Sequence, residues 1–221
     1  MEEFVPEITQ LLRKMAAGFD IELSDRQCHL LRIYLEELRH WNQRMNLTGP
    51  LTKEKMVIEL FLDSLIPSPS IPTTARMLDV GSGAGLPGLP LKIHASNRNI
   101  DLLEINSKKV SFLRHVVRLL GLTHVSVIEG RVERIQADLT RAGYQVVTAR
   151  AVADLSQVIA WCAPLLSSGG LLVSFLGSRF ENELNRSSPM MGEHGIVTHK
   201  VIPYKLPGKR ARRHTVIFQK A

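Results

Sequence analysis

Through the first ~65 residues, apolar side chains recur at steps of three and four, the spacing of one helix face. The clearest stripe is Cys28, Leu31, Leu35, Leu38 and Met45. Ser24-Asp25-Arg26-Gln27 in front of it has the form of a capping box, Ser24 capping amides and Gln27 reaching back. A second helix is predicted over about 52–65, with Met56, Leu60 and Leu65 among its buried candidates. Pro67-Ser68-Pro69-Ser70-Ile71-Pro72 then stops helix formation, because proline lacks the amide donor a helix needs. The expected organisation is a helical N-terminal extension at 1–66, a linker at 67–74 and a different kind of domain at 75–221.

From residue 75 onward, short apolar runs alternate with helical stretches. Strands are predicted at 76–80, 100–104, 125–128, 146–149 and 171–176. Helices are predicted at 87–95, at 107–120 with Val110, Leu113, Val117 and Leu120 on one face, and from a cap at Asp154 to about 166. Such alternation gives a parallel sheet covered on both faces. The runs 197–204 and 215–219 break it and read as an antiparallel hairpin. The charge-free stretch 155–178 is long enough to span a bilayer. Pro164, its serines and Gly169-Gly170 interrupt it, so a buried helix, a turn and a buried strand are expected instead.

With 221 residues and 44% hydrophobic content the chain can bury a core, and no repeat or low-complexity segment is present. Seven Phe, two Trp and three Tyr are too few to suggest an aromatic RNA-stacking sheet. Cys28 and Cys162 form neither a zinc spacing nor a disulfide framework, and no metal is expected. Met1-Glu2-Glu3-Phe4 is acidic where a signal peptide is basic, so a soluble cytoplasmic protein is expected. The net charge of +7 is concentrated in the last 28 residues, which hold seven Lys/Arg and no acid. Lys209, Arg210, Arg212 and Arg213 form its densest run, a candidate for phosphate contacts; a solvated basic loop is the alternative.

The chemistry centres on Leu78-Asp79-Val80-Gly81-Ser82-Gly83-Ala84-Gly85-Leu86-Pro87-Gly88. A glycine loop between the first strand and first helix lets backbone approach a ligand at the carboxyl edge of the sheet. A dinucleotide fingerprint needs glycine at the first, third and sixth loop positions, and the sixth here is Leu86. Asp79 before the loop is awkward for a pyrophosphate but suits an ammonium and a sulfonium. Glu104 closes the next strand, where a carboxylate can accept ribose hydroxyls. Together these fit S-adenosylmethionine better than NAD. A tight structural turn with Asp79 capping local amides, and a dinucleotide site, remain the alternatives. Thr148-Ala149-Arg150-Ala151 stands where exocyclic-amine methyltransferases carry an Asn/Asp-Pro-Pro-aromatic run. Cys28 and Cys162 read as core rather than as nucleophiles.

The glycine loop resembles that of the bacterial 16S rRNA guanine-N7 methyltransferase family (RsmG, also called GidB). So do Trp41-Asn42-Gln43-Arg44-Met45-Asn46-Leu47-Thr48, Phe61-Leu62-Asp63-Ser64-Leu65, Glu104-Ile105-Asn106-Ser107-Lys108-Lys109, Arg131-Val132-Glu133, Thr148-Ala149-Arg150-Ala151 and Leu206-Pro207-Gly208, all in the family's order. The resemblance implies a class I SAM-dependent methyltransferase fold: α/β, Rossmann-like, a mostly parallel seven-stranded sheet with an antiparallel C-terminal hairpin, plus the helical extension. It implies S-adenosyl-L-methionine as cofactor, S-adenosyl-L-homocysteine as product, and methylation of a guanine N7 in 16S rRNA, or in the assembling small subunit, near the decoding region. By motif, Gly81, Leu86, Val132, Glu133 and Arg150 are implied SAM contacts, to which the reading of the residues adds Asp79, Gly83, Gly85 and Glu104.

Arg150, Asn46 and Thr48 are candidates for positioning the acceptor; the last two equally fit a helix cap. Lys209, Arg210, Arg212 and Arg213 are the RNA-binding candidates, with Lys108, Lys109, Arg114 and Arg118 as a possible extension. No catalytic acid or base is assigned, and a monomer is expected. The family usually has His before Phe-Leu-Asp-Ser; this chain has Leu60. A SAM-dependent enzyme for another RNA site or a small molecule, and a non-catalytic dinucleotide- or rRNA-binding factor, are the rival readings.

Overall fold

The computed structural model describes residues 5–140 and 143–221. Among these, seven strands form one sheet: β1 Arg76–Val80, β2 Asn99–Glu104, β3 Val125–Glu129, β4 Tyr144–Ala149, β5 Leu166–Leu176, β6 Ile196–Tyr204 and β7 Arg213–Lys220. Their order is β3-β2-β1-β4-β5-β7-β6. The first four pairings are parallel, and β7 runs antiparallel between β5 and β6. The chain starts at β1 in mid-sheet, winds outward to β3, then returns to β4. The reversal opens a crevice at the carboxyl ends of the strands, where such sheets bind ligands.

Each face of the sheet carries its own apolar cluster. One joins the N-terminal helices to the Gly88–His94 and Ser107–Leu119 helices through Leu35, Leu38, Phe61, Leu89 and Phe112. The other packs the Val132–Thr140, Leu155–Cys162 and Phe180–Glu193 helices through Val132, Ile159, Cys162 and Leu184. The Ser24–Gln27 capping box and the Asp154 cap form as the sequence predicts. The charge-free stretch resolves into the 155–162 helix, a 3-10 turn at Ala163–Leu165 and β5. Among the described residues no helix is long and apolar enough to cross a membrane.

Several elements differ from the expectation. The predicted 52–65 helix is α-helical at Lys53–Met56, π-helical at Val57–Leu62 and α-helical again at Asp63–Leu65, and Leu60 within it is half-buried. The Leu155–Cys162 helix stops short of 166 because Pro164 sits in the 3-10 turn that follows. Pro87, expected in the first helical turn, is the N-cap after a cis Leu86–Pro87 peptide. The Val5–Ala17, Val132–Thr140 and Phe180–Glu193 helices had no individual prediction.

Residues 67–74 are stapled to the protein. The fully buried Arg98 guanidinium donates to the carbonyls of Ser68, Ile71, Pro72 and Leu91 and to Ser68 Oγ, at 2.8–3.2 Å. A charge this deep is tolerated because these acceptors replace its hydration.

Candidate functional site

The glycine loop is built from beneath. Asp79, at the middle of β1, has no exposure. Its Oδ1 accepts from Thr148 Oγ1 on β4 at 2.6 Å, and its Oδ2 accepts from Gly88 N at 3.2 Å. Burial drives its carboxyl upward and these hydrogen bonds pull it back, leaving it pushed up to about 6. A Cβ on Gly88 would lie 2.8 Å from Asp79 Oδ2 and 2.6 Å from Leu102 Cδ2, so only glycine lets the helix start approach the acid. Ser82 N donates to Leu103 O, while Gly85 N and Leu86 N both donate to Ser82 O. From the far side, the Tyr34 hydroxyl of the Asp25–Met45 helix donates to the carbonyl of Ala84. The N-terminal extension therefore holds the loop directly.

Above this scaffold lies a cleft of about 380 Å³ over the carboxyl ends of β1 to β4. Its walls include Gly81, Gly83, Glu104, Val132 and Glu133, five of the residues expected to contact a cofactor. Glu104 is fixed in place: Oε2 accepts from Gly83 N at 2.7 Å and Oε1 from Asn106 N at 2.8 Å. Each carboxylate oxygen keeps a second lone pair for a ligand hydroxyl. Val80, Leu103, Ile105, Val152 and Trp161 supply apolar surface beside the acid, and Lys109 and Arg131 stand at the same cleft. Ile105, 49% exposed, adds apolar surface at the mouth of this cleft. At Gly83, with φ +58°, nothing nearer than 3.8 Å would meet a Cβ, so the space there opens to the cleft. An apolar slot with a fixed carboxylate fits a purine nucleoside, and S-adenosylmethionine carries one.

Asp79, Gly85 and Leu86 are not cleft walls. Asp79 was expected to face an ammonium group; it is sealed under the loop and spends both oxygens on protein donors. Gly85 and Leu86 are buried in the turn. Asn46 is the left-handed C-cap of the 25–45 helix, φ 47°. The Thr48 amide donates to Asn42 Oδ1 at 2.9 Å, and its hydroxyl donates to Gly49 O at 3.4 Å. Neither Asn46 nor Thr48 lines this cleft or the one beside it; both belong to the helix end, because Asn42 draws that turn inward.

Arg150 lines a second cleft of about 360 Å³ with Glu59, Asp63, Ala151, Phe175, Tyr204 and Arg213 among its walls. At its floor is Asp63, 2% exposed. Asp63 accepts from Tyr204 Oη at 2.7 Å, Arg213 Nη1 at 2.9 Å and Arg150 Nη1 at 3.3 Å. Burial, and then the Asp63 charge, push the Tyr204 phenol upward, so it remains a donor. Sequence reasoning missed Asp63, Tyr204 and Phe175. One signal was available for the first: an acid inside the apolar run Phe61-Leu62-Asp63-Ser64-Leu65.

The basic run is likewise only half free. Lys209 pairs with Glu59 at 2.7 Å and Arg213 with Asp63, whereas Arg210 and Arg212 are exposed. Lys108, Arg114 and Arg118 are also exposed. Cys162 is wholly buried with its thiol pushed up to about 12 by desolvation, which suits core and not attack.

The sequence model described as rRNA small subunit methyltransferase G matches residues 27–216. The ribosomal RNA small subunit methyltransferase G of Roseiflexus castenholzii is 38% identical over 212 residues, covering 95% of this chain and 91% of that protein. The Neisseria meningitidis protein of the same name is 37% identical over 209 residues, covering 95% and 97%. Among solved structures, the precorrin-6y C5,15-methyltransferase of Geobacter metallireducens superimposes with TM-score 0.55 at 17% identity, over 80% of this chain and 92% of that one. Aeropyrum pernix fibrillarin with natively bound S-adenosyl-L-methionine gives 0.52 at 18% identity, over 67% and 68%. These two show the shared class I methyltransferase fold. On the span and identity of the sequence matches, the chain belongs to the ribosomal RNA small subunit methyltransferase G family.

Proposed function

We propose that this protein transfers a methyl group from S-adenosylmethionine to N7 of a guanine in 16S rRNA, acting in the cytoplasm on the RNA or the assembling small subunit. The observation that carries the cofactor half is Glu104, clamped by two backbone amides at the floor of an apolar cleft. Gly81, Gly83, Glu104, Val132 and Glu133 hold the nucleoside; Asp79, Gly85 and Leu86 hold the loop that receives it. Bound there, S-adenosylmethionine supplies an electrophilic sulfonium methyl. Family membership supports the rRNA substrate, and the N7 position follows from the family.

Guanine N7 is a lone pair on the Hoogsteen edge with no proton to lose. The chain therefore needs no general base, and none of its residues is given that role. Its work is to hold, orient and exclude water, effects worth about 7–11 kcal/mol in favourable systems. Residues 1–66 brace the loop through Tyr34, 67–74 connect, and 75–221 carry the chemistry. Arg150, implied as a cofactor contact by the resemblance, lines the second cleft and not the first, which supports a role on the acceptor side. Arg210 and Arg212 are the exposed cations of the dense basic run, available for phosphate contact.

The test is to incubate the protein with methyl-labelled S-adenosylmethionine and 16S rRNA or small subunits lacking the modification, then map the label by mass spectrometry. One labelled guanine, at N7, is expected. Label on another atom, or none, refutes the assignment.

A further inference from the structure

The two clefts meet at Ala151, which lines both and has φ +54°. That left-handed conformation costs a non-glycine residue and persists where the surrounding structure enforces it, often at functional sites. Whatever occupies the second cleft thus sits beside the occupant of the first, at the sheet edge where the methyl acceptor must come. The Phe175 ring lines the second cleft beside Tyr204, and the Arg150 guanidinium lies over it, its carbon 5.9 Å from the centroid. The cleft also offers two guanidiniums aimed by a single buried acid.

The bonds of Arg150 to Asp63 and Ser64 both use Nη1, and the Arg213 ion pair also uses Nη1. A guanidinium has five N–H donors, so each fork keeps donors for a ligand. Two arginines against one acid leave a net positive charge here, because Glu59 is matched by Lys209. Side by side they would repel; Asp63, held on its other oxygen by Tyr204, fixes them together.

We infer that the second cleft receives the acceptor base as an unstacked 6-oxopurine, with Phe175 stacking on its face, Arg150 and Arg213 donating to O6, and Asp63 acting as the residue that positions both. The inference rests on the proposed function and extends it to specificity. Guanine presents an acceptor at O6, whereas adenine presents an amino donor at the same place. Donor against donor excludes adenine without any contact to N7, which stays open toward the first cleft. Splayed bases in folded RNA are typically read in this way, by stacking and edge hydrogen bonds.

Two measurements test this. In the first, wild-type protein saturated with S-adenosylhomocysteine is titrated with GMP and with AMP, followed by NMR. GMP binding that exceeds AMP binding by about tenfold, and is lost in Phe175→Ala, is expected; equal binding of the two, or none, overturns the inference whether or not rRNA is the substrate. In the second, kcat and KM on 16S rRNA are compared for Phe175→Ala, Arg213→Lys and Asp63→Asn, with S-adenosylhomocysteine affinity by calorimetry and a melting curve for each. Phe175→Ala is expected to lower kcat/KM about tenfold or more, the scale of one base–aromatic stack, with cofactor affinity within about twofold. Asp63→Asn is expected to lower kcat more than it raises KM, as a misaimed pair of arginines requires. If Asp63→Asn does not fold, Phe175→Ala and Arg213→Lys carry the test. A folded Phe175→Ala with unchanged kcat/KM, or variants that lose cofactor affinity in step with activity, overturn the assignment. A wild-type enzyme that leaves 16S rRNA unlabelled defeats the proposed function and leaves the nucleotide titration to decide the pocket.

Discussion

Replacing Asp79 by Asn should change how stability responds to pH more than it changes stability itself. Asp79 has no exposure, and burial lifts its carboxyl from 3.8 to about 6. A carboxyl whose folded value is raised binds its proton more tightly in the native state. Its stabilising contribution is therefore complete below the unfolded value and is lost as pH rises through the folded one. Each tenfold change in proton affinity corresponds to about 1.4 kcal/mol, so the whole contribution is about 3 kcal/mol, of which about 2 kcal/mol is lost between about pH 4.5 and pH 7.5. Asparagine does not titrate and fits the same space. Its oxygen can accept from Gly88 N, and its amide can donate to Thr148 Oγ1, replacing the two bonds Asp79 makes. Urea unfolding of both proteins at intervals from pH 4.5 to 7.5 gives the two stability curves. The difference, wild type minus variant, should fall by about 2 kcal/mol across that range. A flat difference would refute the claim that desolvation raises the carboxyl in the folded state. The variant also separates scaffold from ligand contact, since a sealed side chain should leave S-adenosylmethionine affinity within a few-fold. A loss of tenfold or more would return Asp79 to the cofactor.

Gly83→Arg should abolish S-adenosylmethionine binding by calorimetry while the protein still melts cooperatively, because the space beyond Gly83 opens into the cleft and not into the core. Gly88→Ala should instead lower stability by about 1–3 kcal/mol through overpacking against Asp79 and Leu102, seen in the urea midpoint. Tyr34→Phe removes the donor to the Ala84 carbonyl and leaves that acceptor buried, at about 1–3 kcal/mol in thermal or urea unfolding, with catalysis changed less than stability. Arg210→Ala with Arg212→Ala should reduce the slope of log K against log salt for rRNA binding by about 1.4, since each phosphate contact to a single strand contributes roughly 0.7.

The parallel half of the fold was legible because its signals are local. Apolar runs bounded by glycine, and caps at Ser24 and Asp154, follow from neighbours a few residues away. The Phe180–Glu193 helix was not legible: its apolar face of Phe180, Leu184, Met190 and Met191 is sparse and only partly buried, and Pro189 lies within it. The first cleft was half legible. Gly81, Gly83 and Glu104, picked out by spacing, line the cleft, whereas Asp79, picked out with them, lies beneath the loop with both oxygens on protein donors. Sequence shows that an acid precedes the glycines; it does not show that Thr148, 69 positions away, claims one of its oxygens. The second cleft was illegible for the same reason. Asp63 meets Arg150, Tyr204 and Arg213 across separations of 87 or more positions, and no local pattern announces such a meeting.

The tail shows how far charge arithmetic reaches. All of the net charge lies after residue 193, which suggests one uniform basic surface. The fold divides it by function. Lys209 and Arg213 reach back to Glu59 and Asp63 on the 57–65 helical segment, so β7 and the loop before it are tied to the wall of the second cleft. Arg210 and Arg212 stay in solvent between these two tethers. Charges held against buried acids give up solvation and in return have a fixed direction; charges in solvent keep their freedom and meet polyanions through screened, adjustable contacts. Under the proposed function, one short run does two kinds of work, aiming the acceptor pocket from inside and attracting RNA from outside. The partition predicts that removing Arg210 and Arg212 will alter salt dependence, whereas altering Arg213 will act on the chemistry at any salt concentration.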